Sequence, residues 1–110
     1  MYTKKERERY NEDRERACKR LGITKNQYNW LRRKGEALRK VYEDNCNGKY
    51  TNEACYEIDC SSIQVRVWVY IKENNLGLNV HYQTDPRGAS LYLDKEPIPE
   101  NNYTNAICIY

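Results

Sequence analysis

The chain has 110 residues, five cysteines, eleven tyrosines, two tryptophans and no phenylalanine, and its 19 Lys/Arg against 16 Asp/Glu leave a net charge of +3. That length suits one domain, residues 1–110, with one modest core. No run of 18 apolar residues and no charged-then-apolar leader is present, so the sequence reads as soluble and unexported, with no membrane partner. The cysteines (Cys18, Cys46, Cys55, Cys60, Cys108) are odd in number and lack framework spacing, which predicts reduced thiols rather than a disulfide scaffold.

The small net charge hides a segregation. Met1 to Tyr42 carries 14 Lys/Arg against 6 Asp/Glu, whereas Glu43 to Tyr110 carries 5 against 10. Such asymmetry implies either an anionic partner for the first part or pairing between the two parts, and charge alone does not choose. The tyrosines divide in the same way between core positions, where each hydroxyl needs a partner, and surface positions suited to recognition.

In chain order, Thr3-Lys4-Lys5-Glu6 is a capping box and Gly22 a helix stop, which predicts a first helix that is solvated early and anchored late by Ala17, Cys18 and Leu21. Glu12–Arg16 and Glu15–Lys19 have the favourable i,i+4 order within it. Thr24-Lys25-Asn26-Gln27 repeats the box and predicts a second helix from about Lys25 to Asn45, with a main apolar stripe of Tyr28, Leu31, Leu38 and Tyr42. Gly35 lies on that stripe, allowing close approach at a cost of about 1 kcal/mol in helix propensity. Trp30, Ala37 and Val41 form a second apolar face, so this helix is expected to be contacted on two sides, with the Trp30 face available to a dimer.

Residues 1–46 thus read as a basic helical half and 47–62, rich in Asn, Gly, Thr, Ser and Glu, as a connection to a second half at 63–110. Ile63 to Ile71 supports two readings. Its alternation and β-branched residues suit a strand. The sequence Ser61-Ser62-Ile63-Gln64 as a cap, Asn74-Asn75-Leu76-Gly77 as an end, and Val67, Trp68 and Ile71 as one face suit a helix, the reading favoured here. Leu78 to Tyr82 and Ala89 to Leu93 are strands flanking Asp85-Pro86-Arg87-Gly88, a type I turn sequence, and Ala106 to Tyr110 supplies a third strand. The fold class is therefore α+β: two N-terminal helices, a third helix, and a small antiparallel sheet with a DPRG hairpin.

Candidate functional residues fall into two groups. Cys18 to Gly35 resembles a helix-turn-helix motif, which implies Lys25, Asn26, Gln27 and Asn29 as base-reading positions with Arg32 and Arg33 on phosphates. Cys18 and Tyr28 depart from the small and aliphatic residues usual there, and an ordinary αα-hairpin with a basic solvated face accounts for the same pattern. Lys25, Arg32 and Arg39 make a stripe beside the apolar face, with Arg33 and Lys40 further round. The second group is the hairpin, where Arg87 is not demanded by the turn and would project its guanidinium from the tip, with Gln83, Tyr92 and Tyr82 near it. No cofactor motif, nucleophile motif or catalytic constellation around the single His81 is present. Only Cys55-x4-Cys60 approaches metal-ligand spacing, so neither a metal site nor an enzyme is predicted.

Gln83-Thr84-Asp85-Pro86-Arg87-Gly88 followed by Leu91-Tyr92, together with Leu21-Gly22-Ile23-Thr24, Leu31-Arg32-Arg33 and Cys46-Asn47-Gly48, resembles small tailed-phage proteins that combine a basic helical half with such a C-terminal hairpin. The resemblance spans Leu21 to Tyr110 and carries no activity that attaches to particular residues. It implies a phage-encoded protein acting in the host bacterial cytoplasm. The expected function is that of a non-catalytic binding protein inhibiting a host protein or ribonucleoprotein with an anionic or nucleic-acid-binding surface, most concretely an anti-CRISPR type of defence inhibitor. The alternative is a regulator of duplex DNA using the paired helices, and a virion assembly protein is a third reading.

Overall fold

The computed structural model describes residues 3–85, 88–99, 102–103 and 106–109. Three helices, α1 (Lys4–Leu21), α2 (Lys25–Cys46) and α3 (Glu53–Glu73), precede three strands, β1 (Asn79–Asp85), β2 (Gly88–Asp94) and β3 (Ile107–Cys108). The strands form an antiparallel sheet of order β1-β2-β3, so the α+β expectation holds.

Local chemistry sets the helix ends. Both predicted capping boxes form: Glu6 N–H donates to Thr3 Oγ1 and Gln27 N–H to Thr24 Oγ1, at 3.2 and 3.1 Å, each with its reciprocal bond. Gly22 closes α1 with φ 67°, the left-handed conformation that favours glycine, and Ile23 N–H donates back to Cys18 O at 3.1 Å. The predicted end of α3 is also present: Asn75 takes φ 52°, and Asn75 and Leu76 N–H donate to Lys72 O and Ile71 O.

The segment 47–62 is not the connection its composition implied. Helix α3 already begins at Glu53, capped by Asn52, whose side chain accepts from Ala54 N–H at 2.9 Å, so Ser61 and Ser62 lie inside the helix and the connection shrinks to six residues, 47–52. The polar composition of 53–62 reflects a solvated outer surface, while Tyr56, Cys60 and Ile63, spaced by four and three, keep an inner stripe half-buried. Tyr50 donates its hydroxyl to Asp59 at 2.7 Å and meets Tyr56 edge-on, which ties the connection to this first half of α3.

One hydrophobic cluster joins every helix to the sheet: Ala17, Cys18 and Leu21 of α1, Tyr28 and Leu31 of α2, Val67 and Ile71 of α3, with Leu91 and Leu93 of β2 and Ile109 beyond β3. Alternation along the strands turns Ala89, Leu91 and Leu93 to the helices, with Val80 and Tyr82 packed beside them. α2 contacts α1, β2 and α3, burying Tyr28, Leu31, Gly35 and Leu38 of its main stripe, and its second face reaches α3. There Trp30 stacks on Tyr70 with ring centroids 3.8 Å apart. The Trp30 face expected to be open to a dimer is therefore filled from within the chain. Val67, Trp68 and Ile71 do not share a face either: Val67 and Ile71 are buried, whereas Trp68, a 100° step round the helix from Val67, is 54% exposed.

Candidate interaction surface

The α2 candidates separate into outward and inward residues. Arg33 and Lys40 are exposed and make no ion pair among the described residues. Glu36 stands between them on the same exposed face, three residues after Arg33 and four before Lys40. Lys25 is exposed at the start of the helix with Nζ 4.0 Å from Glu15 of α1, and Arg39 donates from Nε to Glu43 at 3.1 Å. Asn29 is half-buried.

Arg32 turns away from this surface. Its guanidinium lies 4.9 Å from the centre of the Tyr10 ring and donates to the Ile109 carbonyl at 3.4 Å, which binds α1, α2 and the chain beyond β3 together. Arg14 approaches the same ring at 5.5 Å, and Tyr28 beside Arg32 has its hydroxyl pushed up in pKa by burial, partly offset by that guanidinium. The predicted Lys25–Arg32–Arg39 stripe is thus broken at its middle. Local pairings also differ from expectation: Arg16 pairs with Asp13 rather than Glu12, and Glu15 with Lys25 rather than Lys19.

The acidic second half does not neutralise the helices wholesale. Among the described ion pairs, Arg20 on Asp94 at 3.6 Å reaches from the basic first part into the sheet; Arg16–Asp13 and Lys25–Glu15 stay within Met1 to Tyr42, and Arg39–Glu43 within α2. Asp94 is the buried charge of the structure's described part, 7% exposed, and also accepts from Glu96 N–H. Lys95 next to it donates to the Leu76 carbonyl at 2.6 Å and lies over Gly22, so the strand end, the α1 end and the α3 end are held at one point.

On the hairpin, Gln83 and Tyr92 point to the sheet face away from the helices, as alternation requires. The sheet stands between them and α2, so the two candidate groups do not form one surface. Tyr92 is covered: Tyr103 stacks on it at 4.9 Å and on its register partner's ring, His81, at 4.4 Å. Tyr82 faces the core instead, its hydroxyl buried without a partner among the described residues and its pKa raised by that burial. Arg87 and Pro86 lie outside the described residues; their neighbours Asp85 and Gly88 are register partners.

Sequence reasoning missed two features. One is the Tyr10–Arg14–Arg32 cluster, which depends on a contact between helices. The other is the outer face of α3, whose signal was present in Ile58 and Val65, seven residues apart. All five cysteines are free thiols, with Cys18 buried, donating to Thr24 O and raised in pKa chiefly by desolvation. Among the described residues no three His, Cys, Asp or Glu side chains converge as metal ligands would, and no helix is long and apolar enough to cross a membrane. Compared with protein-family models, with curated proteins and with solved structures, the chain matches none.

Proposed function

We propose that this chain is a phage-encoded, non-catalytic binding protein that occludes a host macromolecule in the bacterial cytoplasm, most concretely as an inhibitor of antiviral defence of the anti-CRISPR kind. The observation that supports a docking role is the solvent face of α2, where Arg33 and Lys40 stay exposed and without ion pairs among the described residues. Glu36 between them makes that face an alternating one. An alternating pattern complements a protein surface carrying both signs better than a phosphate backbone, which presents negative charge alone.

The regulator reading keeps one specific observation in its favour. α1 and α2 join through the three-residue turn Gly22-Ile23-Thr24, with Lys25 and Asn26 exposed at the start of the second helix. The experiment that separates the two combines capture from host lysate with duplex-DNA binding over a salt series, each repeated with Arg33→Glu/Lys40→Glu. A defined protein partner retained by the wild type and lost by the double variant supports inhibition. Steeply salt-dependent duplex binding that prefers particular sequences supports regulation and overturns the inhibitor reading.

A further inference from the structure

We propose that the outer face of α3 is a dimerisation surface whose occupant is a second copy of this chain, packed antiparallel, helix against helix. The exposed large hydrophobic residues of the described chain are Ile58, Val65, Trp68 and Val69, at 65%, 50%, 54% and 45% exposure, and all four belong to this one helix. α3 carries apolar residues on both its inner and its outer side: Val67 and Ile71 fill the core cluster, and Tyr70 is taken up by Trp30, so the outer residues are not surplus members of the inner face. Positions 54, 58, 61, 65 and 68 advance by alternate steps of four and three. That is the spacing of a helix–helix seam rather than of scattered surface residues.

The occupant follows from how that face is arranged about its own midpoint. Ser61 and Ser62 sit at the centre, with Ile58 and Val65 equidistant on either side and Ala54 and Val69 equidistant beyond them; Trp68 falls opposite Cys55 and stands outside this balance. The two serines leave a shallow groove between Ile58 and Val65, edged by Glu57 and Arg66. A two-fold interface uses the same patch twice, and a face balanced about its midpoint fits itself when turned end for end. Charge selects the direction. Glu53 and Glu57 occupy the first third of α3, with Asp59 beside them accepting from Tyr50, while Arg66 and Lys72 lie towards its end, followed by a single carboxylate at Glu73. Antiparallel packing lays each copy's cations along the other's carboxylates and opposes the helix dipoles, whereas parallel packing sets like against like. Neither Glu57 nor Arg66 makes an ion pair among the described residues. The dimer goes beyond the docking role of α2 and does not depend on it.

Sedimentation velocity on the full chain, from micromolar concentration to about 1 mM, tests this. The expected mass rises from 13.2 kDa towards twice that value. Val65→Glu places a carboxylate where the monomer is already half exposed, so its circular dichroism should be unchanged while association weakens at least about 100-fold. For direction, Ser62→Cys near the two-fold should give an oxidised dimer linked through position 62. Val69→Cys should not link to itself, because antiparallel packing holds the two copies of position 69 roughly 20 Å apart. A chain that stays monomeric at the highest concentration, a dimer untouched by Val65→Glu, or a link between two copies of position 69 would each overturn the proposal.

Discussion

Helices α2 and α3 are nearly equal in length, 22 and 21 residues, yet they dispose of their apolar residues in opposite ways. α2 has neighbours on two sides: Tyr28 and Leu31 join the cluster with α1 and the sheet, and α3 covers Trp30. What it leaves to solvent is charged apart from Asn26 and Cys46. α3 has α2 on one side and keeps Ile58, Val65, Trp68 and Val69 in solvent. The two tryptophans summarise the difference, one stacked against a tyrosine and one facing out. A helix whose apolar residues exceed what its neighbours can cover carries a second surface, and here that surface is distinct from the charged one on α2.

Cutting equivalent amounts of apolar side chain from each helix should separate them most. Leu31→Ala removes a fully buried side chain and should cost about 2–5 kcal/mol in urea unfolding. Val65→Ala, measured at concentrations that keep the protein monomeric, should change stability by no more than about 0.5 kcal/mol. Equal losses at the two sites would mean that the outer face of α3 is covered within the monomer.

The helix caps offer a test of intermediate size. Asn52→Ala removes the cap that starts α3 and should cost about 1 kcal/mol. Much of the loss should be recorded as faster hydrogen exchange over residues 53–62, the stretch without a deep core anchor. An unaltered exchange pattern would mean that Tyr50, Tyr56 and Asp59 hold this end without the cap.

A third test concerns the sheet layer beneath the helices. Tyr82→Phe deletes a buried hydroxyl that lacks a partner among the described residues, and should stabilise the fold by about 1 kcal/mol. The sign of the pH effect follows from the raised pKa. The folded state holds the phenol proton more tightly than the unfolded chain does, so Tyr82's contribution is intact below pH 10 and is lost as pH rises above it. The Phe variant should lose less stability than the wild type between neutral and strongly alkaline pH. An identical alkaline profile for the two would show that Tyr82 is not buried as a phenol.

The smallest effect is spectroscopic. Trp30→Phe, leaving Trp68 alone, should emit at longer wavelength than Trp68→Phe, which leaves the stacked Trp30. Emission maxima that coincide would erase the distinction between the two helices.

Much of this fold could be read in advance because its signals are local. Capping boxes at Thr3 and Thr24, the left-handed stop at Gly22 and the end at Asn74 to Gly77 involve residues within a few positions of one another. Strand alternation at Leu91 and Leu93 is equally short in range. The start of α3 escaped because Ser61-Ser62-Ile63-Gln64 imitates a cap, while the Asn52 cap stands before an exposed, polar first half. Which side of α3 faces inward could not be read either, since both of its sides carry large apolar residues.

Sequence alone determined where most helices begin and end, which strand residues point inward, and that the basic charge gathers before Glu43, because those properties follow from spacing along the chain. Only the tertiary structure decided that Arg32 turns in to Tyr10 and Ile109, that Tyr92 lies under Tyr103, and that Trp68 rather than Trp30 remains in solvent. Each of these depends on which element lies opposite: Tyr10 and Ile109 come to Arg32 from α1 and from beyond β3, Tyr70 comes to Trp30 from α3, and Tyr103 reaches Tyr92 from beyond the end of its strand.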